Sequence, residues 1–378
     1  IGLTGNNIED VNGVLRVDDI VWKENNKVYK LDSLELVSIK EKNREMITLN
    51  SDFFTGKIEG DFNLKEIYPT VINVFSKEIP SIINYYPLSE NHKGDNQFRL
   101  MFKVYDYKMI HELFTPNFNI SNNTRFSGRF NDENQSYLLQ FASDLIMFKN
   151  RKIQGLKVYS KNKAEKIILN AKCKFVQLFD TVGLQNIKFN ANIDSSVLGY
   201  DIGYENNSAE VNKGSLSGVV DLNDLNKIES NFEDAKFSYR NREWKLDRNN
   251  KITFEKDKIT VDNFRLTSEG QFLFVDGKAS PASRDFLKVK MKGFELGTFK
   301  YFWDRLKIDL VGDASGEILF RGVLANPVFT SDLSVDRLRF NNQPFGKVSL
   351  SASFVPTERK INLELLVNNT SNRNKWKT

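Results

Sequence analysis

Lys347-Val348-Ser349-Leu350-Ser351-Ala352-Ser353-Phe354 alternates polar and apolar residues without a break. Successive side chains of a strand point to opposite faces, so the stretch reads as a β-strand with one dry face and one wet face. The same rhythm runs through Lys360-Ile361-Asn362-Leu363-Glu364-Leu365 and Lys288-Val289-Lys290-Met291-Lys292. It returns over 188–194, where Phe189, Ala191 and Ile193 share a face, and over 252–266, with Ile252, Phe254, Ile259, Val261, Phe264 and Leu266. Strands of a parallel α/β sheet, buried on both faces, read as unbroken apolar runs, so alternation predicts antiparallel pairing. Turn residues recur between these segments, at Asn6-Asn7, Glu24-Asn25-Asn26, Asn206-Asn207, Arg248-Asn249-Asn250 and Asn341-Asn342, as an all-β meander requires.

Helical signals are few. Over 64–86, Ile67, Val71, Phe75, Ile79 and Ile82 fall at three- and four-residue steps, and Pro69 and Pro80 can each open a turn. Shorter amphipathic stretches lie at 106–114, 175–182, 222–228 and 294–306, and each follows a strand. We read all five as caps on the apolar face of a sheet. Their spacing alternates and defines a long repeat, echoed by Leu34-Glu35-Leu36-Val37-Ser38, Leu156-Lys157-Val158-Tyr159-Ser160 and Phe264-Arg265-Leu266-Thr267-Ser268. Self-similarity of this kind indicates an array of units that mainly contact their neighbours. We therefore expect three β-modules of one continuous sheet, 1–120 with a helical insert at 64–86, 121–235 and 236–378.

Composition narrows the function. The 54 Lys+Arg and 49 Asp+Glu give a net charge of +5, and the cations are scattered, which argues against a nucleic-acid surface. One cysteine, Cys173, excludes a disulfide framework and a Cys-based zinc site. No apolar run is long enough to span a bilayer, and the chain opens at Ile1 without a signal-peptide pattern. We read it as an internal piece of a longer protein. His92, in the polar loop Ser89-Glu90-Asn91-His92-Lys93-Gly94-Asp95, reads as solvated, and His111 as a helix-surface residue. No metal-ligand spacing accompanies either, and Gly199-Tyr200-Asp201-Ile202-Gly203 and Gly312-Asp313-Ala314-Ser315-Gly316 lack the context of a phosphate loop. Cys173, between two lysines, reads as a thiol at a strand end. We expect no enzyme, no cofactor and no metal.

What remains is the dry face. Phenylalanine occurs 30 times in 378 residues, largely at inward strand positions, and so much apolar surface must be closed off or curved into a groove that holds apolar ligands. The groove positions we single out are Phe189 and Ile193, then Phe254, Phe264 and Leu266, and then Val289 and Met291. Ile318, Phe320, Leu338 and Phe340 follow, and Leu350, Phe354, Ile361 and Leu363 complete the set.

The phrase Gly316-Glu317-Ile318-Leu319-Phe320-Arg321-Gly322-Val323-Leu324-Ala325-Asn326-Pro327-Val328-Phe329, with the strands that follow it, resembles the recurring unit of the TamB and AsmA-like proteins. Two upstream stretches fit the same family. They are 244–277, ending in Ser268-Glu269-Gly270-Gln271-Phe272-Leu273-Phe274-Val275-Asp276-Gly277, and Ser51-Asp52-Phe53-Phe54-Thr55-Gly56-Lys57-Ile58-Glu59-Gly60-Asp61-Phe62-Asn63-Leu64. The last resembles the Bacteroidota branch. The resemblance implies an elongated, twisted, U-shaped antiparallel sheet, the β-taco, with a continuous apolar groove. It implies a periplasmic conduit for phospholipid acyl chains between inner and outer membranes, anchored in the inner membrane by a segment outside this chain. Its partner would be a TamA-like outer-membrane barrel of the Omp85 family, met through regions also outside this chain. The alternative within the same resemblance is a scaffold that assists outer-membrane protein assembly by strand addition at open sheet edges.

Overall fold

Alternation is realised as an antiparallel ladder. The structure, a computed structural model, describes residues 2–4, 11–24, 27–41, 44–88, 92–106, 118–148, 151–163, 165–178, 183–207, 212–239, 242–299, 309–355, 360–368 and 375–377. The fold is nearly all β with a few short helices, and the chain divides into two compact units, Ile1–Glu205 and Asn206–Thr378. The module boundaries expected at 120 and 235 fall at the end of one strand, Phe118–Ile120, and inside another, Lys227–Tyr239.

Unit 1 opens with β1 (Gly2–Thr4), β2 (Asn12–Glu24), β3 (Lys27–Glu41), β4 (Arg44–Ser51) and β5 (Phe54–Asp61), each paired with the next. A 3-10 turn, Leu64–Glu66, then leads into α1 (Ile67–Ser76) and α2 (Ser81–Tyr85), within the stretch where sequence spacing predicts helix. The Asn63 side chain accepts from Lys65 N–H at 2.8 Å at the start of that turn. The ladder resumes with β6 (Gln97–Val104), β7 (Phe118–Ile120), β8 (Arg125–Asn131) and β9 (Ser136–Phe148). It ends with β10 (Arg151–Lys163), β11 (Lys166–Gln177), β12 (Gly183–Asp194) and β13 (Val197–Glu205). Strand β6 pairs with both β5 and β8, while β7 and β8 lie end to end along β9. Cys173 sits inside β11 and not at its end. It is buried, its thiol lies within hydrogen-bond reach of the Gln154 and Phe175 carbonyls, and burial pushes its pKa up against the opposing effect of those contacts.

Unit 2 runs β14 (Lys213–Asp221), β15 (Lys227–Tyr239), β16 (Arg242–Leu246), β17 (Lys251–Glu255), β18 (Lys258–Ser268) and β19 (Gln271–Ala279). Then come β20 (Phe286–Glu295), β21 (Leu310–Arg321), β22 (Val328–Phe340), β23 (Gln343–Val355), β24 (Lys360–Asn368) and β25 (Lys375–Lys377). Strands β16 and β17 both lie between β15 and β18, so they are two halves of one interrupted strand. Arg248-Asn249-Asn250, expected as a turn between strands, is that interruption. The buried Asn250 side chain bridges it, accepting from Phe232 N–H at 3.0 Å and donating to the Phe232 and Asp247 carbonyls at 3.0 and 2.6 Å.

Three other helical expectations differ from the structure. Residues 222–226 form a tight turn instead of a helix, because Asp221 and Asp224 accept from the N–H groups of Asn223 and Asn226 at 2.8 and 2.9 Å and close local turns that compete with helix. Residues 175–177 continue β11, and 179–182 lie outside the described residues. Of 294–306, Phe294 belongs to β20 and Leu296–Phe299 form a single 3-10 turn, while 300–306 lie outside the described residues. The stretch 106–114, with His111, lies outside them from residue 107 onward.

Candidate functional site

The long strands of both units present an apolar face, and the two units treat it differently. In unit 1 the register aligns Ile47, Ile58, Leu100, Gly128 and Leu139 in one row across β4, β5, β6, β8 and β9. Helix α1 packs on this face. Val74 is fully buried among Ile58, Phe62, Phe98, Phe130 and Tyr137, with Ile67, Val71, Phe75 and Ile79 packed against the cluster. The Phe75 and Tyr137 rings lie 4.6 Å apart and those of Phe98 and Phe130 5.2 Å apart, within the range of favourable aromatic pairs. Tyr137 donates or accepts at 2.8 Å with Ser160, and burial pushes its pKa up to about 12. Ile193, singled out as a groove position, packs against this covered core. Phe189 lies further along the same face, between Ala171 and Ile202 in register.

A polar knot fastens α1 to the sheet. Asp132, 1% exposed, accepts from Thr70 Oγ1 at 2.9 Å and Asn73 Nδ2 at 2.6 Å. His92 does not lie in solvent as its polar loop suggests: its side chain is 7% exposed, with Nδ1 2.5 Å from Glu66 and Nε2 3.0 Å from Asp132. The second approach is an ion-pair distance without hydrogen-bond alignment. Burial favours the neutral ring, but the Glu66 hydrogen bond and the Asp132 charge outweigh it, and the His92 pKa is raised. With a carboxylate at each ring nitrogen, the imidazole is held as a tie between the start of α1 and β8–β9, and neither nitrogen faces open space.

In unit 2 the apolar face continues from strand to strand. Leu246, Leu266, Leu273 and Met291 are in register, and Gly316, Leu333, Leu350 and Leu365 extend the row. A neighbouring row runs Phe264, Val275, Val289 and Ile318, and another joins Leu287, Phe320 and Phe329. Here a cleft of ≈ 470 Å³ opens, lined by fourteen residues, none of them with a polar side chain. Its volume is within the range of ordinary ligand sites.

Five of the positions singled out from sequence line this cleft: Met291, Ile318, Leu338, Phe340 and Leu350. Five more share its sheet without lining it. Val289 and Leu266 lie in the rows just described, the Phe264 ring meets Phe232 edge-on at 6.0 Å, and the Phe320 ring is 6.3 Å from Phe329. The fifth, Phe254, stands between Ile228 and Ile259 and is 44% exposed. Of Phe354, Ile361 and Leu363 the structure gives the backbone register, Phe354 opposite Ile361 and Ala352 opposite Leu363. The other nine lining residues, Phe294, Leu310, Val335 and Phe345 among them, were not singled out from sequence.

Bulges explain part of that gap. Val261 to Phe264, Met291 to Phe294 and Val335 to Leu338 are three-residue steps in which the register shifts by one and the apolar residue returns to the same face. Asn263, Gly293 and Arg337 take positive φ at these sites, 54°, 58° and 54°. The last is tied by its guanidinium to Asp313 on β21. Gly316, in the cleft row, has φ +140°, and a Cβ there would run into the Asp332 carbonyl of β22. Gly60 shows the same close approach, with φ +148° and the Gln97 carbonyl of β6. These glycines belong to two of the three phrases that carry the family resemblance, so those two mark places where neighbouring backbones crowd together. Comparison of the chain with protein-family models, with curated proteins and with solved structures finds no match.

Proposed function

We propose that the chain is a segment of a lipid-transfer protein of the TamB and AsmA-like kind, in which the unit 2 cleft holds phospholipid acyl chains. The observation that carries this reading is the absence of any polar side chain among the fourteen that line the cleft. Each methylene moved out of water into such a lining contributes about 0.8 kcal/mol. An apolar lining offers no directional contact, so a chain can slide along it while its headgroup stays in water. The wet face of the same strands, with Lys288 and Lys290 around Glu317, would keep the protein in solution. Among the described residues no helix is long and apolar enough to cross a membrane. In this reading the anchor and the outer-membrane barrel partner belong to parts of the parent protein outside this chain, and the work is done in the periplasm.

Adjacent residues on opposite faces provide the test. A photo-crosslinking residue replaces Ile318, in the cleft, or Glu317, on the wet face, and adducts are read in cells by mass spectrometry. Phospholipid adducts at position 318 and few at 317 are expected. Protein adducts at both positions with no lipid at either would sink the proposal and favour a scaffold for polypeptides.

A further inference from the structure

The opposite face of unit 1 carries an arrangement that acyl-chain binding does not use. Lys103, Arg125, Ala142, Lys157, Lys172 and Lys188 stand in one cross-strand row over β6, β8, β9, β10, β11 and β12. The five cations are exposed, and none has an acidic partner among the described residues. Like charges directly opposite one another on a sheet destabilise it. Here Lys103 faces Arg125, and Lys157, Lys172 and Lys188 face one another in succession. Elsewhere on the surface, lysines pair with neighbouring carboxylates, as Lys40 does with Glu45 and Lys166 with Asp194. Among the described residues this row lacks that compensation.

Part of the row lines a concavity of ≈ 550 Å³. Of its sixteen lining residues, four are cations and none is acidic. Lys57 is held by Glu59 at 2.6 Å and Lys103 lies 4.9 Å above the Tyr105 ring, while Arg125 and Lys157 have no charged partner among the described residues. Ala142 stands between these last two in register, and its small side chain leaves the floor between them open. Arg125 and Lys157 are thus two strand spacings apart, about 10 Å at the backbone, a gap that two long side chains close around one multiply charged group. The adjacent row adds neutral hydrogen-bonding groups at Ser127, Gln140 and Tyr159.

We propose that this concavity binds a phosphate-bearing anion, with Lys103, Arg125 and Lys157 as its cations. A guanidinium flanked by ammonium groups and hydroxyls suits phosphoryl oxygens, which accept several charge-assisted hydrogen bonds at once. The anion is either a soluble phosphate compound or the headgroup of a lipid. The site does not depend on what occupies the unit 2 cleft, so either proposal can fail without the other.

The test uses the full chain at low and at moderate salt. Calorimetry with inorganic pyrophosphate probes the soluble source, and co-sedimentation with phosphatidylcholine vesicles, with and without phosphatidylglycerol, probes the membrane source. The double variant Arg125→Gln, Lys157→Gln is expected to weaken whichever probe binds by about tenfold or more. Ala142→Leu, which keeps every charge but fills the floor, weakens it as well, and Lys278→Gln on β19 leaves it unchanged. Binding that requires phosphatidylglycerol assigns a headgroup, and pyrophosphate binding assigns a soluble anion. Failure of the wild type to bind either probe, or equal binding by wild type and the double variant, overturns the site.

Discussion

The apolar faces of the two units arise from one sequence rhythm, yet part of the first is sealed under a helix and part of the second is an open cleft. In unit 1 the face carries α1, and the space above Ile58, Phe98 and Phe130 is filled by Val74 and its neighbours. In unit 2 the corresponding face carries, among the described residues, only the turn Leu296–Phe299, and a cleft opens between Met291 and Leu365. The difference lies in what is laid over the strands. Alternation dictates that a dry face exists; a helix with apolar residues at three- and four-residue steps decides whether it becomes core or site.

That contrast is tested most strongly by truncating one large side chain in each unit. Phe98→Ala removes a ring that is 4% exposed and touches Phe62 and Phe130, so its loss leaves a cavity under α1. The cost expected is about 3–5 kcal/mol, read as a fall in the midpoint of urea unfolding. Leu333→Ala, in the lining of the open cleft, removes a side chain that already borders empty space and is expected to cost less than half as much. Equal losses from the two would mean that the cleft is packed as tightly as the sealed core, and the contrast would collapse.

Interrupted strands provide a second, smaller contrast. In unit 1 the break between β7 and β8 is filled by hydroxyls, with Thr124 bonded to Ser143 at 2.7 Å and to the Ser121 carbonyl at 2.7 Å. In unit 2 one amide, Asn250, substitutes for the missing backbone ladder. Asn250→Ala strands the Phe232 N–H and carbonyl in a buried position and is expected to cost about 1–3 kcal/mol. Asn250→Asp restores only the acceptor half. Hydrogen exchange at Phe232 would show the effect locally, and unchanged protection there in the Ala variant would mean that water takes over the amide's role.

How far the fold was legible follows from these same residues. Period two announced the strands, and the steps from Ile67 to Ile82 announced the helices over the sheet, because both are local properties of side-chain direction. The cleft was legible only in part, at five of its fourteen lining residues. Met291, Ile318 and Leu350 keep the alternation, whereas Phe294 sits one residue off it, since the bulge at Gly293 depends on a partner strand far away in sequence. Asn250 reads as a turn because asparagine favours turns, and nothing local says that another strand runs past it on each side. His92 reads as solvated for the same reason: its neighbours in sequence are polar, while Glu66 and Asp132, which bury it, are distant in the chain.

The smallest effect separates the units by pH. Both histidines of the chain, His92 and His111, belong to unit 1, so unit 2 has no imidazole to titrate. The folded pKa of His92 is raised above its ordinary value of about 6.5. Protonated His92 therefore contributes stability that is fully present below about pH 6.5 and is lost as pH rises through the folded pKa. The charged groups facing the ring are Glu66 at the start of α1 and Asp132 after β8, and both attract the protonated form. After correction for the intrinsic base-catalysed rate, raising the pH across that window is expected to lower the hydrogen-exchange protection of the α1 amides while leaving that of the β21 amides unchanged, and His92→Gln should abolish the dependence. If α1 and β21 loosened together, or if the Gln variant kept the dependence, His92 would not be the tie that holds the cover on unit 1. The cover would then rest on the apolar packing of Val71, Val74 and Phe75 alone.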